Sequence, residues 1–326
     1  MGRKRADKVA AWLAGLTIVA AVALWGQSNQ PPRYRVDVRL VRMLATVKDL
    51  QGQLVGGLSR DEFAVFDNGV PQQIALFSQT TEVPLSVAML VDASGSTAIK
   101  LREETSSVTR FLNALLNDGN DGDRLALYSF SHDVILEHDF TRNVPALERE
   151  LKQVKADAGT SLYDAIYFAS RALELRDGRR VILVVTDGAD TTSGKNFRAA
   201  LEAAHDADTA VYGIMIIPVT SDAGRHVAGE NALISLCVGT GGRVFPATLG
   251  DMLDTAFTDI LRDLRSQYLL GYYPRNVPYT RERFHRIQLK MKRSDLRVVT
   301  RTGYYGDYGD SAQQDPVSRG PIRLIP

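Results

Sequence analysis

Hydrophobic positions change their period twice along the chain, and the changes divide it. In the first stretch, apolar and polar residues alternate. Tyr34, Val36, Val38 and Leu40 fall on one face, with Arg35, Asp37 and Arg39 on the other. Strands are predicted over 34–40, 63–66 and 73–77. Turns are predicted at Asp49-Leu50-Gln51-Gly52 and at Asp67-Asn68-Gly69, the second being the stronger hairpin signal. From residue 84 to about 266 the pattern becomes apolar strands separated by amphipathic helices. Strands are expected over 85–91, 124–130, 181–185 and 210–217, the last two as near-continuous apolar runs of the kind buried on both faces. Helices are expected over 100–116, 162–175, 197–207 and 249–265. On the first of these, Leu101, Val108, Leu112 and Leu115 share a face. Strand periodicity returns over 268–273, 284–292 and 296–302.

Strands alternating with helices predict an α/β fold over residues 84–266, with a doubly wound, mostly parallel sheet whose binding crevice lies at the carboxyl ends of its strands. The flanks, 33–83 and 267–305, are each too short to bury a core alone. The ends of an α/β domain tend to lie close together. The expectation is therefore one small β-rich domain, built from strands within 33–80 and 267–305, into which residues 84–266 are inserted. Residues 306–326, rich in Gly, Asp, Gln and Pro, read as a disordered tail.

Residues 1–32 read as a signal or anchor with its linker. Arg3, Lys4, Arg5 and Lys8 precede an uncharged apolar run of 17 residues over 9–25, near the lower limit for crossing a bilayer. The basic flank favours the cytoplasmic side, which sends the remainder outward. This predicts a periplasmic or extracellular protein, either held in the inner membrane by residues 9–25 or released after the small residues Ala21-Val22-Ala23.

Of the 326 residues, 44% are hydrophobic and 24% charged, ordinary values for a globular chain. The 39 basic residues balance 38 acidic ones, so no global field draws nucleic acid to the protein. The single cysteine, Cys237, excludes an intramolecular disulfide and a Cys-rich zinc site, and its apolar neighbours predict a buried thiol.

Candidate chemistry sits at the predicted strand ends. Asp92, Ser94 and Ser96 follow one buried strand, and Thr186-Asp187-Gly188 follows another. Gly159-Thr160-Ser161 enters a helix. These turns can meet at the carboxyl edge of the sheet, where Asp92, Ser94, Ser96, Thr160 and Asp187 would offer oxygen ligands alone. Such a set suits a hard cation, Mg²⁺ first and Mn²⁺ or Ca²⁺ next. Two carboxylates about 4 Å apart at an effective dielectric near 20 repel by about 4 kcal/mol, a cost that a cation between them removes. The bland use of the hydroxyls is helix capping, by Ser94 or Ser96 for one helix and Thr160 or Ser161 for the next. Asp164 fits the dipole of a helix N-terminus, and Asp190 fits a loop-shaping role better than a ligand role.

Other chemistries fail on spacing. Gly188 and Gly194-Lys195-Asn196 depart from a phosphate loop, because five residues separate the glycines and Asn stands where Ser or Thr would hold Mg²⁺. The run from Asp118 to Asp123 misplaces the glycine of a calcium loop. His132 and His138 belong to no His-Glu-x-x-His motif, and Ser94 lacks the Gly-x-Ser-x-Gly elbow.

Asp92-Ala93-Ser94-Gly95-Ser96, the Gly159-Thr160 turn and Thr186-Asp187-Gly188 together resemble the metal-ion-dependent adhesion site of von Willebrand factor type A domains. The five family positions fall on Asp92, Ser94, Ser96, Thr160 and Asp187 without substitution. The resemblance covers about residues 84–266. The flanking Asp67-Asn68-Gly69, Tyr268-Leu269-Leu270-Gly271-Tyr272-Tyr273-Pro274 and Gly303-Tyr304-Tyr305 are similar to a bacterial exported family related to these domains. The resemblance implies a non-enzymatic adhesion or scaffold module that takes an Asp or Glu of a protein partner through the cation. Two other readings use the same residues: a Mg²⁺-dependent hydrolase or phosphoryl-transfer enzyme, and a self-assembling envelope scaffold.

Overall fold

The computed structural model describes residues 40–79, 83–94, 105–187, 190–216, 227–247, 251–278, 280 and 283–306. The predicted anchor, the strand over 34–39, Ser96, Gly188, the first residues of the helix expected from 100, and the tail beyond 306 lie outside them.

Two kinds of layer are present. The first is a six-stranded sheet in the order β10-β9-β8-β5-β6-β7. Its strands are β5 (Leu85–Asp92), β6 (Arg124–Phe130), β7 (Val134–Thr141), β8 (Arg179–Thr186), β9 (Thr209–Ile216) and β10 (Val244–Ala247). All pairings are parallel except that of the edge strand β7 with β6. Alternation along the central strands divides the core between two faces. Leu85, Val87, Met89 and Val91 of β5 pack with α1 (Thr105–Leu116), α2 (Val144–Gln153) and α6 (Asp251–Ser266). Phe111 of α1 stacks on Phe257 of α6 with ring centroids 4.5 Å apart. Ala88 and Leu90 point the other way, to α3 (Leu162–Glu174), α4 (Phe197–Asp206) and α5 (Val227–Thr240). Every residue of β5 and of β9 is buried, as a parallel sheet covered on both faces requires.

The flanks supply two four-stranded antiparallel sheets. One has the order β13-β1-β11-β4, from β1 (Val41–Asp49), β4 (Ile74–Gln79), β11 (Tyr268–Tyr272) and β13 (Leu296–Val299). The other has the order β14-β12-β2-β3, from β2 (Phe63–Asp67), β3 (Val70–Gln72), β12 (Phe284–Met291) and β14 (Gly303–Tyr305). Strands from both ends of the sequence pair directly, Val41 opposite Tyr272 and Phe66 opposite Gln288. Their inner faces share one core of Met43, Ala45, Val47, Phe63, Val65, Tyr268, Leu270, Ile287 and Leu289. Asn68 and Gly69, with φ of 47° and 83°, form the two-residue loop between β2 and β3, the conformation that Asn-Gly favours in a hairpin. A buried carboxylate joins the two sheets. Asp67 accepts hydrogen bonds from the hydroxyls of Tyr272 at 2.9 Å and Tyr304 at 2.7 Å, with His285 Nδ1 3.2 Å away.

Some predicted boundaries move. The strand expected over 296–302 ends at Val299. Beyond it the Thr300 hydroxyl donates to Leu44 O and the Thr302 amide to Gly239 O, so the chain leaves the ladder for α5. The strand expected from residue 73 starts at Ile74. β1 starts at Val41, just past the strand expected over 34–40, and β3, β7, β10, β14, α2 and α5 have no counterpart in the predicted pattern.

Candidate metal centre

β5 and β8 are neighbours in the sheet, yet β6 lies on the far side of β5. The chain thus reverses its winding at β5, and the carboxyl ends of β5 and β8 flank the resulting crevice, where doubly wound sheets bind ligands. Asp92 closes β5, and Thr186 with Asp187 closes β8.

The Asp92 side chain is fully buried. Its Oδ1 accepts the Ser94 amide at 2.8 Å and its Oδ2 accepts the Thr186 hydroxyl at 2.6 Å. Burial pushes this carboxyl up to about 6, against those hydrogen bonds, and the negative charge of Asp187 adds to the rise. Asp187 is half-buried, and among the described residues its carboxylate makes no hydrogen bond or ion pair.

Thr160 is held by its backbone. Its amide donates to the hydroxyls of Thr191 and Thr192 at 2.9 and 3.1 Å, and its carbonyl accepts both of their amides. Its own hydroxyl has no partner among the described residues. Gly159 makes the turn possible. Its φ is +84°, and a Cβ there would lie 2.9 Å from Thr192 Cγ2. Ala93 donates to Phe130 O, Asp157 donates to Ala93 O, and Ser161 donates to Ser131 O. These bonds bring the 157–161 turn to the ends of β5 and β6. The structure therefore gathers Asp92, Ser94, Thr160 and Asp187 at one edge, and Ser96 lies outside the described residues.

The capping role considered for Ser161 is not the one it plays. Although it is the N-cap of α3, its hydroxyl donates to His132 O at 2.7 Å and meets the Thr192 hydroxyl at 2.8 Å. The first amides of α3 are satisfied from the 190–193 loop instead: Tyr163 donates to Asp190 Oδ1 and Asp164 to the Ser193 hydroxyl. Asp164 does more than face a dipole, because its two oxygens accept the amides of Lys195 and Gly194 at 2.7 and 2.9 Å. Both acids fasten the loop after β8 to α3. Thr186 is the site residue that sequence reasoning missed. Its signal was position, the last residue of an apolar strand and the neighbour of Asp187.

The donor set fits a hard cation. No cluster of three His, Cys, Asp or Glu with metal-ligand geometry occurs among the described residues. The site instead combines two carboxylates with neutral hydroxyls, and among the described residues the Asp187 carboxylate and Thr160 hydroxyl have no hydrogen-bond partner.

Residues 87–189 match the family model of the von Willebrand factor type A domain. This part of the chain is a von Willebrand factor type A domain. Solved structures similar to it include the vWF domain of the type V pili tip protein Mfa5 from Porphyromonas gingivalis, at 16% identity and a TM-score of 0.46, covering 56% of this chain and 95% of that one. BatB from Bacteroides thetaiotaomicron is similar at 17% identity and a TM-score of 0.42, over 56% of this chain and 97% of its own. An aerotolerance-related membrane protein from Bacteroides fragilis is similar at 19% identity and a TM-score of 0.40, over 56% and 98%. No curated protein matches the chain.

Proposed function

We propose that the α/β domain is a protein-binding module, not an enzyme, which holds a divalent cation at the carboxyl edge of its sheet and uses it to take an acidic side chain of a partner. Asp92, Ser94, Ser96, Thr160 and Asp187 would hold the ion, Mg²⁺ ahead of Mn²⁺ or Ca²⁺. When bound, it supplies an open coordination position for an Asp or Glu of another protein. The neutral hydroxyls leave its charge under-compensated and therefore attractive to an external carboxylate. The observation that carries this reading is the pairing, at one strand edge, of a buried Asp92 hydrogen-bonded through both oxygens with an Asp187 carboxylate and a Thr160 hydroxyl that have no partner among the described residues. Thr186 and Ser94 fix the Asp92 carboxylate, and Thr191 and Thr192 fix the backbone that presents Thr160. The apolar run over 9–25 supports a place for this domain outside the cytoplasm, anchored in or exported across the inner membrane. Among the described residues no helix is long and apolar enough to cross a membrane.

The test is the melting temperature of the full chain with Mg²⁺ or EDTA. A ligand that binds only the folded state raises it by mass action. Asp187→Asn is expected to melt no lower than metal-free wild type and to show no Mg²⁺-dependent rise. A wild-type Mg²⁺ response in that variant overturns the assignment.

A further inference from the structure

The helix α5 carries an uncharged outer face. Val227, Asn231, Ile234 and Val238 follow at spacings of four, three and four residues and form one stripe along it. All four are exposed, as are Ala228 and Ser235 beside them. The three aliphatic residues of the stripe are 60%, 41% and 48% open to solvent. Glu230, the one charged residue of the helix, is buried. A helix that is apolar all round is ordinarily covered on every side. Here Leu233, Leu236 and Cys237 join the core on the inner side, against β9, β10 and α4, and the outer side is bare.

The size of this face and the course of the chain narrow its occupant. A helix of 14 residues is about 21 Å long and presents a strip about 10 Å wide. That strip is on the order of 200 Å², well short of the ~800 Å² that each partner brings to a specific intermolecular interface. A segment of the same chain needs less area, because its tether supplies a high effective concentration. The two antiparallel sheets form a β-sandwich, and its last strand, β14, ends beside this helix. The Thr302 amide and hydroxyl both donate to Gly239 O of α5, at 3.0 and 3.2 Å. The Tyr305 ring lies 6.0 Å from that of His205, whose Nε2 meets the same carbonyl at 2.9 Å. Residues 307–326 lie outside the described residues. In their sequence a mostly polar stretch over 307–320 precedes Pro321-Ile322-Arg323-Leu324-Ile325-Pro326. That stretch can span up to about 46 Å when extended, more than twice the length of α5.

We propose that residues 321–326 lie along the outer face of α5 as an extended strap. Their two prolines disfavour a helix. In an extended chain Ile322 and Leu324 share one side, about 6.6 Å apart. Ile234 and Val238, one turn apart on the helix, are separated by about 6 Å along its axis. The two aliphatic pairs therefore match in spacing, and Arg323 falls on the side turned to water. This inference does not rest on the cation site.

The experiment is photocrosslinking in the full chain with p-benzoyl-phenylalanine in place of Leu324, mapped by mass spectrometry of the digested monomer. Cross-links are expected within residues 227–240. Ile234→Asp and Val238→Asp, at exposed positions, should each lower their yield at least about threefold, the least expected from losing one buried aliphatic contact. Ile322→Asp should do the same, and it leaves the helix itself untouched. Leu175→Asp, at an exposed apolar position at the end of α3, should leave the yield unchanged. Cross-links that fall elsewhere in the chain overturn the proposal, as does a cross-linked dimer, which would make a second copy the occupant. A yield that Ile322→Asp leaves undiminished overturns it too.

Discussion

The Thr186 hydroxyl lies 2.6 Å from Asp92 Oδ2 and donates to it, joining the ends of the neighbouring parallel strands β8 and β5. Both residues are fully buried. Thr186→Val keeps the shape of the side chain and removes the donor, leaving one carboxylate oxygen without its partner. A loss of about 1–3 kcal/mol in unfolding free energy is expected. It is measured by urea denaturation in EDTA, with a weakened Mg²⁺-dependent rise in melting temperature as the second readout. Unchanged stability would show that water replaces the hydroxyl.

Gly159→Ala tests the turn that carries Thr160. The left-handed backbone costs an L-residue about 1–2 kcal/mol, and the new methyl would meet Thr192 Cγ2 at 2.9 Å. Thr192 is one of the hydroxyls that hold the Thr160 amide. The variant should therefore lose stability and Mg²⁺ response together, whereas a strain confined to the turn would lower the first alone.

His205 sets a pH dependence. Burial holds its imidazole down at about 4, opposed by the contact of Nε2 with Gly239 O and assisted by the nearby Arg301 charge, with Asp208 acting the other way. Between pH 4 and the ordinary value of 6.5 the unfolded chain binds a proton that the native protein refuses. Stability is then retained above pH 6.5 and lost as the pH falls toward 4, by on the order of 2–3 kcal/mol. Unfolding free energies from urea denaturation at pH 7 and pH 4.5 should differ less in His205→Gln than in wild type by about that amount. Equal differences would place the sensitivity elsewhere.

Asp67 is expected to be the most costly polar residue of the sandwich to remove. Asp67→Ala takes the shared acceptor from Tyr272 and Tyr304 and the carboxylate from beside His285. A loss of about 2–5 kcal/mol is expected for leaving two buried hydroxyl donors without their acceptor, at about 1–3 kcal/mol each. Tyr304→Phe, which removes one donor of the two hydroxyls, should cost about 1 kcal/mol. Both are read from chemical denaturation, and similar values for the two variants would mean that Asp67 is not the hub.

The sequence announces the parts of this fold whose pattern repeats and hides those that depend on distant partners. The fully buried β5 and β9, and the helices with one apolar face, can be read directly from periodicity. The α5 helix cannot. Ile234 and Val238 are exposed while Leu233, Leu236 and Cys237 are buried, so apolar residues surround it and no face stands out. Gly239 within it lets Leu201 pack closely, with its Cδ1 3.1 Å from where a Cβ would stand. The α2 helix was legible but passed over. Asn143 accepts the Ala146 amide and Pro145 stands in the first turn, both ordinary helix-start signals. At the site, the acids and hydroxyls were visible as residue types at strand ends. The support from Thr186 and the fastening of the 190–195 loop by Asp164 and Asp190 were not, because those hydrogen bonds join residues 27 to 94 positions apart.

The α/β domain leaves the sandwich after β4 and returns through β11, and these two strands are hydrogen-bonded neighbours, Gln79 opposite Tyr268. Paired strands lie about 5 Å apart, so the exit and the return are clamped together. Tension applied across the sandwich passes through that ladder as shear and bypasses the inserted domain. A pull entering at the carboxyl edge of the parallel sheet has no such shunt and must cross the whole α/β domain to reach the ladder. The proposed cation site and the sandwich would thus be in series for a load borne by a partner held there, and mechanically isolated for strain arising within the sandwich.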